Sequence, residues 1–364
     1  MHTLDDIVAL LQSCENEEQF ARLQEEALAT TLREIGPEVH FRGLIEFSNI
    51  CSRDCFYCGI RKSNKKVERY CLSAEEIIEL AEWSAKQGYG SIALQSGERS
   101  DPAFIDFVEE TLRQIKSKTR SAALLNGLGI TLCVGEQTKE TFQRFFDAGA
   151  HRYLLRIETT SPSLFRQIHP SKQSLQTRLR SLEYLKEIGY QTGTGVMIGL
   201  PGQTYEDLAR DILFFKEFDI DMIGMGPYLS HHDTPMSLYA EENQKNRLHI
   251  FKKSLAMIAA TRIVCPKINI AATTALQTID PAGRIDGLRF GANVLMPQTT
   301  PPGFRRNYLL YEGKPAMDEN AEETRLALER EINEIGRQVS KNRWGDSLRF
   351  YEKVRSASGS PPGK

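Results

Sequence analysis

The chain lacks any apolar run approaching the ~20 residues of a membrane span, so no transmembrane helix is expected. It also lacks appreciable net charge: 46 Lys and Arg against 48 Asp and Glu leave a formal −2. That balance excludes a global basic field for nucleic acid and an acidic disordered tail, and points to small or local partners. Met1 to Asp6 carries neither the basic nor the apolar stretch of a secretory signal, so a cytoplasmic location is expected, with no membrane and no nucleic acid as partner. Cysteine is sparse and odd in number, seven in 364 residues: Cys14, Cys51, Cys55, Cys58, Cys71, Cys133 and Cys265. An odd set in a non-secreted chain argues against a disulfide framework and suits thiolates that serve a metal.

At ~150 residues per domain the length allows two or three domains, or one barrel of roughly 200 to 250 residues with extensions. Leu4, Ile7, Leu10, Leu11, then Phe20, Leu23 and Ala27 have helical spacing, and residues 1–36 are read as a helical N-terminal extension. From Val39 the text changes to short β-rich runs alternating with helical stretches. The strand candidates are His40 to Phe47, Ser91 to Gln95, Gly129 to Cys133, Arg152 to Arg156, Gln191 to Ile198, Met222 to Gly226, Ile268 to Ala272 and Ala292 to Met296. Between them lie helices such as Ser73 to Gln87, opened by Ser73 with Glu76 as a capping box. Periodicity alone does not separate a doubly wound sheet from a barrel, but eight βα units favour a closed (β/α)8 barrel, placed at 37–300. A C-terminal segment at 301–355 includes a charged helix from Glu319 to Val339. Residues 356–364 read as a frayed low-complexity tail.

The feature that carries chemistry is Cys51-Ser52-Arg53-Asp54-Cys55-Phe56-Tyr57-Cys58, directly after the first strand. Three soft thiolates on one short loop suit a 4Fe-4S cluster whose fourth iron has no protein ligand. Structural zinc needs a fourth Cys or His nearby, and none follows Cys58 until Cys71. Three unrelated thiols would have to meet by accident at the C-terminal mouth of a barrel strand, where such folds place active sites.

The triplet, with an aromatic residue before its last cysteine, resembles the signature of the radical S-adenosylmethionine enzymes. The resemblance implies a reduced cluster that chelates S-adenosylmethionine and cleaves it to methionine and a 5'-deoxyadenosyl radical. Cys51, Cys55 and Cys58 become the cluster ligands, with Tyr57 beside the cofactor. Gln95-Ser96-Gly97-Glu98 resembles the family's Gly-Gly-Glu motif, with Ser96 in place of the first glycine, and implies contacts to the methionine ammonium. A Ser-Gly-Glu turn can also simply end a strand. Charges at the end of a barrel strand, here Arg156-Ile157-Glu158, read as functional. In the resemblance Glu158 accepts ribose hydroxyls and Arg178 forks onto the methionine carboxylate, the alternative being a solvated helix-face arginine like Arg180. The glycine-rich Gly195 to Thr204 stretch lacks the Lys-Ser/Thr of a P-loop and allows close backbone approach to adenine.

Within the superfamily the text resembles the HydE branch of FeFe-hydrogenase maturases, relatives of biotin synthase and methylornithine synthase. The matching stretches include Ile45 to Asn49, Leu94 to Glu98, Arg152 to Arg156, Gly199 to Thr204, Ala272 to Ala275 and Gly291 to Pro297. The branch implies a small organometallic or amino-acid-derived substrate, other hydrogenase maturases as partners, and ferredoxin or flavodoxin as electron donor. Gln95, Ser96, Thr131, Arg156, Thr273, Thr274, Met296 and Tyr308 match positions lining its substrate cavity, although Thr in a strand is usually a β-former and Met usually core. Many members carry a second cysteine triplet near the C-terminus, and Leu310 to Met317 contains none. A methylornithine-synthase-like mutase is the alternative, or a biotin-synthase-like sulfur inserter to which Cys133 and Cys71 could contribute; a non-enzymatic iron-sulfur scaffold would leave Glu158 and Arg178 unexplained. His231-His232-Asp233 is read as a loop rather than a metal site, because adjacent side chains point apart.

Overall fold

Strand β1 (Glu38–Ser48) is buried along nearly its whole length, as a strand covered on both faces must be. It is the first of eight parallel strands in the computed structural model, which describes residues 2–315 and 317–358. The others are β2 (Ser91–Ser96), β3 (Gly129–Cys133), β4 (Arg152–Leu154), β5 (Gln191–Thr194), β6 (Met222–Ile223), β7 (Asn269–Ile270) and β8 (Val294–Leu295). Each pairs with its sequential neighbour, with registers such as Ile45 to Leu94, Ala93 to Thr131, Thr131 to Arg152 and Ile223 to Ile270. A parallel bridge from Ala271 to Val294 joins β7 to β8, and His40 pairs with Val294, so the sheet returns to its first strand and closes. The expected (β/α)8 barrel is what forms.

Strands β4 to β8 are all shorter than their runs suggest, and for β5 and β6 the cause is visible. A Cβ on Gly195 would overlap the Gly224 carbonyl; the backbones approach so closely there that the β5–β6 ladder breaks and resumes as Met197–Ile198 against Gly226–Pro227. Helices cover the outside, and Ser73 caps the helix Ala74–Lys86 through the expected capping box with Glu76. The N-terminal helices Leu4–Gln12 and Glu17–Glu34 bury Ile7, Leu11, Leu23 and Ala27 against the barrel's outer layer, chiefly the helix Arg247–Val264. No helix among the described residues is long and apolar enough to cross a membrane.

The C-terminal segment differs from the sequence reading. The charged helix spans Ala321–Glu334 and stops before Gly336, whose φ of +73° turns the chain out of helical geometry. The following residues form a ninth strand, β9 (Gln338–Ser340), pairing with the start of β1. The chain then crosses the N-terminal end of the barrel. A Cβ on Gly90 would overlap the Arg343 backbone, the Trp344 indole donates to the Gly127 carbonyl at 2.8 Å, and the Ser347 amide donates to Gln191 at 3.0 Å. The stretch 356–358 read as frayed tail ends a helix, Leu348–Ser358; residues 359–364 lie outside the described residues.

Asp346 is the floor's central charge. It meets wholly buried Arg152 at 2.5 Å and His151 at 3.2 Å. Burial alone would raise its pKa, but His151 and Arg152 outweigh that and hold it far below the usual carboxylate value. Such a depressed carboxylate contributes stability at neutral pH that is lost as pH falls below the ordinary value of 3.8. Asp346→Ala strands Arg152 without its partner and is expected to cost about 3–5 kcal/mol in denaturant unfolding. A loss of less than about 1 kcal/mol, the scale of an exposed pair, would show that the pair does not hold the floor.

Candidate active site

The loop after β1 is shaped by two residues outside the cysteine motif. Asn49, fully buried, donates to the Glu68 and Asn307 carbonyls and accepts from the Tyr70 amide. Arg69 donates to four loop carbonyls, those of Asn49, Ile60, Arg61 and Asn64, at 2.6–3.0 Å. A guanidinium is suited to this because its donors are fixed in one plane and stay charged. Within that frame Cys51, Cys55 and Cys58 are half-buried. The Arg53 and Glu98 amides both point at Cys51 Sγ at 3.4 Å, and the Gln173 amide approaches Cys55 Sγ at 3.5 Å. Burial pushes all three thiols up, Cys55 to about 11. Burial thus favours their neutral thiol form, and a cationic metal centre is what would make thiolates of them.

The sulfurs' spacing selects the kind of centre. Among the described residues, the one set of three or more ligand atoms lying within 4.8 Å of one another is on His231, His232 and Glu312. The three sulfurs therefore stand wider apart than a single tetrahedral ion with ~2.3 Å bonds requires. Three ligands serving three different irons need that wider spacing.

Beside the loop, the end of β2 and the strand-end charges form one network. A Cβ on Gly97 would overlap the Ile50 carbonyl and Cys51, so glycine is required where the β2 turn packs on the thiol loop. The Ser96 hydroxyl donates to the Gly97 carbonyl at 2.7 Å. Glu98 is buried, its pKa raised by desolvation against the pull of Arg178 and Arg53. It pairs with Arg53, which reaches Glu136 at 3.0 Å, and Glu136 holds Arg178 at 2.5 Å. Arg178 also donates to the Arg156 carbonyl at 2.7 Å. Burial works against its charge, but Glu136 and Glu98 outweigh it and hold Arg178 more firmly protonated than usual. Arg178 is thus buried in the site, unlike exposed Arg180, which pairs with Glu183 on the helix surface.

Glu158 closes the ring. Its φ is +65°, a left-handed conformation that costs a non-glycine residue of order 1 kcal/mol and clusters at functional sites. The turn aims its carboxylate inward, where it pairs with Arg156 at 2.9 Å and accepts from the Tyr57 hydroxyl at 3.3 Å.

Below the mouth the barrel encloses a cavity lined by Gln95, Thr131 and Met296, three of the residues singled out in the sequence, and also by Arg42, Cys133 and Met222. Tyr308 is buried and within 3.3 Å of Gln95. Thr273 has a buried hydroxyl with no hydrogen-bond partner among the described residues. Thr274 opens a short helix where its carbonyl accepts from Thr278; neither threonine is among the residues lining this cavity, nor are Ser96 and Arg156. Arg42 is the floor. Its donors reach only the Met222 sulfur at 3.2 Å and the Gly345 carbonyl at 3.2 Å, its Nε has no partner, and no carboxylate bonds it among the described residues. Glu136, Arg53, Arg69 and Arg42 were not singled out from the sequence. Glu136 lay within reach, since it follows the end of β3 as Glu158 follows β4; Arg69 did not, because its partners are backbone carbonyls.

The Radical SAM superfamily model matches residues 45–215. The FeFe-hydrogenase maturase subunit HydE of Thermotoga maritima is 43% identical over 321 residues, 88% of this chain and 87% of that protein. The chain belongs to the radical SAM superfamily, in the HydE family. 3-Methylornithine synthase of Methanosarcina acetivorans is 29% identical over 80% of this chain and 78% of that protein. The crystal structure of methylornithine synthase shares the fold, with a TM-score of 0.77 at 24% identity, covering 93% of this chain and 94% of that one. A radical SAM enzyme uses a 4Fe-4S cluster and S-adenosylmethionine, and the spread thiols, the Cys51-directed amides and the unpartnered Thr273 hydroxyl fit such occupants.

Replacing Arg69 with Met keeps much of the side-chain volume but removes charged hydrogen bonds worth about 1.5–3 kcal/mol each. The variant is expected to release iron to a chelator at least about tenfold faster than the parent, the effect of losing one such bond. Equal release rates would mean the loop holds its shape without the guanidinium.

Proposed function

We propose that this chain is a HydE-type maturase, which takes a small iron-carbonyl-cyanide-cysteine precursor into its barrel and acts on it in assembling the FeFe-hydrogenase diiron site. The observation that carries the reading is the cavity: it lies below the thiol loop, it is lined by sulfur from Cys133, Met222 and Met296, and it rests on a guanidinium with no carboxylate in hydrogen-bond contact among the described residues. Soft side chains suit a soft metal complex and an unpaired buried cation suits its anionic ligands. The HydE relative, matched along most of both chains, supports the same assignment.

When bound, the cluster and S-adenosylmethionine supply a carbon-centred radical. The chain's own residues orient what is bound. Cys51, Cys55 and Cys58 hold the cluster. Glu98 and the backbone of Gln95, Ser96 and Gly97 take the methionine ammonium. Arg178, with Nε and Nη1 committed to Glu136 and Arg156, keeps Nη2 for the methionine carboxylate. Glu158 receives the ribose, and Tyr57 steadies Glu158. The Thr273 hydroxyl and Arg42 receive the substrate's polar ligands, and Gly224 lines the cavity without a side chain to fill it. Reducing equivalents come from ferredoxin or flavodoxin, and the product passes to the other maturases.

The deciding experiment is an anaerobic hydrogenase maturation reaction lacking its own HydE, supplied with this protein after cluster reconstitution, with 5'-deoxyadenosine quantified in the same tube. Hydrogenase activity and deoxyadenosine are both expected, and Cys55→Ala is expected to abolish both along with the cluster absorbance. Deoxyadenosine without hydrogenase activity would overturn the maturase assignment and favour a mutase of the methylornithine synthase kind. A second expectation concerns Glu158→Gln. The cluster spectrum should remain, while affinity for S-adenosylmethionine falls about tenfold, the worth of one charged hydrogen bond. An unchanged titration would remove Glu158 from the cofactor site.

A further inference from the structure

We propose that His231, His232 and Glu312 form a binding site for a divalent transition-metal ion of the zinc type, separate from the thiol loop, which staples the C-terminal stretch to the barrel mouth. The ligand atoms of these three residues lie within 4.8 Å of one another. Two imidazoles and a carboxylate are donors that zinc and its neighbours accept. Contrary to the expectation that adjacent histidines point apart, the two rings stack, with centroids 4.7 Å apart and planes inclined by 19°.

His231 is the fixed member: it is buried, and its ring accepts from the Asp233 amide at 3.1 Å. His232 and Glu312 are exposed on the protein surface, where an ion can reach them from solvent. His232 is already oriented as a ligand would be. Its Nδ1 faces the Glu312 carboxylate, while its Nε2 lies 2.9 Å from Asp233 Oδ2. A carboxylate on the far nitrogen of an imidazole fixes its tautomer and raises its basicity, the arrangement that accompanies histidine ligands to metals. Asp233 is anchored in turn by Lys66 at 2.5 Å. Two carboxylates against one lysine leave the site with a net negative charge that attracts a cation.

The location gives the ion a task. The Glu312 amide donates to the Ser230 carbonyl at 3.1 Å, and the Gly59 amide, next to Cys58, donates to the Leu310 carbonyl at 2.9 Å. Glu312 sits between Tyr308 and Lys314, both of which turn into the barrel. An ion held from both sides would tie the loop beyond β6 to this stretch and fix those two residues over the cavity. The proposal does not rest on the identity of the substrate.

Zinc itself is the probe. The cluster-loaded protein, equilibrated anaerobically with zinc and desalted, is expected to retain about one zinc per chain, as a mononuclear site requires, with its iron content unchanged. X-ray absorption at the zinc edge should show only nitrogen and oxygen ligands, at about 2.0–2.2 Å. His232→Ala and Glu312→Gln should each weaken zinc at least about tenfold in competition with a chromophoric chelator, without loss of iron. No retained zinc, zinc bound through sulfur, or equal affinity in both variants would overturn the site.

Discussion

Arg152 and Asp346 meet at the closed end of the barrel, where a guanidinium stripped of water is tolerable only because a carboxylate is there to receive it. The pair joins residues 194 positions apart and requires the chain to return beneath the barrel after its eighth strand. It also organises what lies above. Arg152 donates to the Thr131 hydroxyl at 3.1 Å, fixing one wall of the cavity. Since the Asp346 carboxylate is bonded by Arg152 and His151, Arg42 feels it only through space and has no carboxylate in hydrogen-bond contact among the described residues. The positive floor of the cavity is thus a consequence of how the floor is sealed.

The mouth is built on the opposite arrangement. Arg53, Arg156 and Arg178 face Glu98, Glu136 and Glu158 in a network whose formal charges cancel. A zwitterionic ligand meets partners already held in place, so little reorganisation accompanies binding. The thiols beside them are different, because burial opposes their ionisation and outweighs the pull of Arg178 on Cys55. The loop is ordered before it is charged: Arg69 and Asn49 set its backbone, and the metal centre completes it.

The barrel was legible in the sequence because parallel strands buried on both faces leave contiguous β-rich runs, and all eight were placed. Their lengths were not, since the break at Gly195 depends on the backbone of Gly224, a neighbour in space. Strand β9 was hidden for a related reason: Gln338 to Ser340 is short and polar, and only its pairing with Glu38 to His40 makes it a strand. Among site residues, those on the thiol loop and at strand ends announced themselves by position. Arg42 did not, because an arginine amid an apolar strand signals nothing until its lack of a carboxylate is seen. Thr273 and Thr274 share their chemistry but differ in place, Thr273 standing at the N-cap and Thr274 on the first turn of a helix, a distinction the sequence alone does not make.

The stretch around Tyr308 and Lys314 shows how the mouth closes without a second set of cysteines. Lys314 is buried and pairs with Glu46 at 2.5 Å, donates to the Tyr308 carbonyl at 3.1 Å, and lies over the Tyr308 ring. Glu46 also accepts from Gln298 at 2.7 Å, so strand β1, the loop after β8 and the C-terminal stretch converge on one carboxylate. Removing either partner of such a pair leaves a bare buried charge, so the stretch cannot lift away without that cost. A metal cluster in the same stretch would serve the same mechanical end by different chemistry. Without a cysteine triplet, these contacts alone keep Tyr308 beside Gln95.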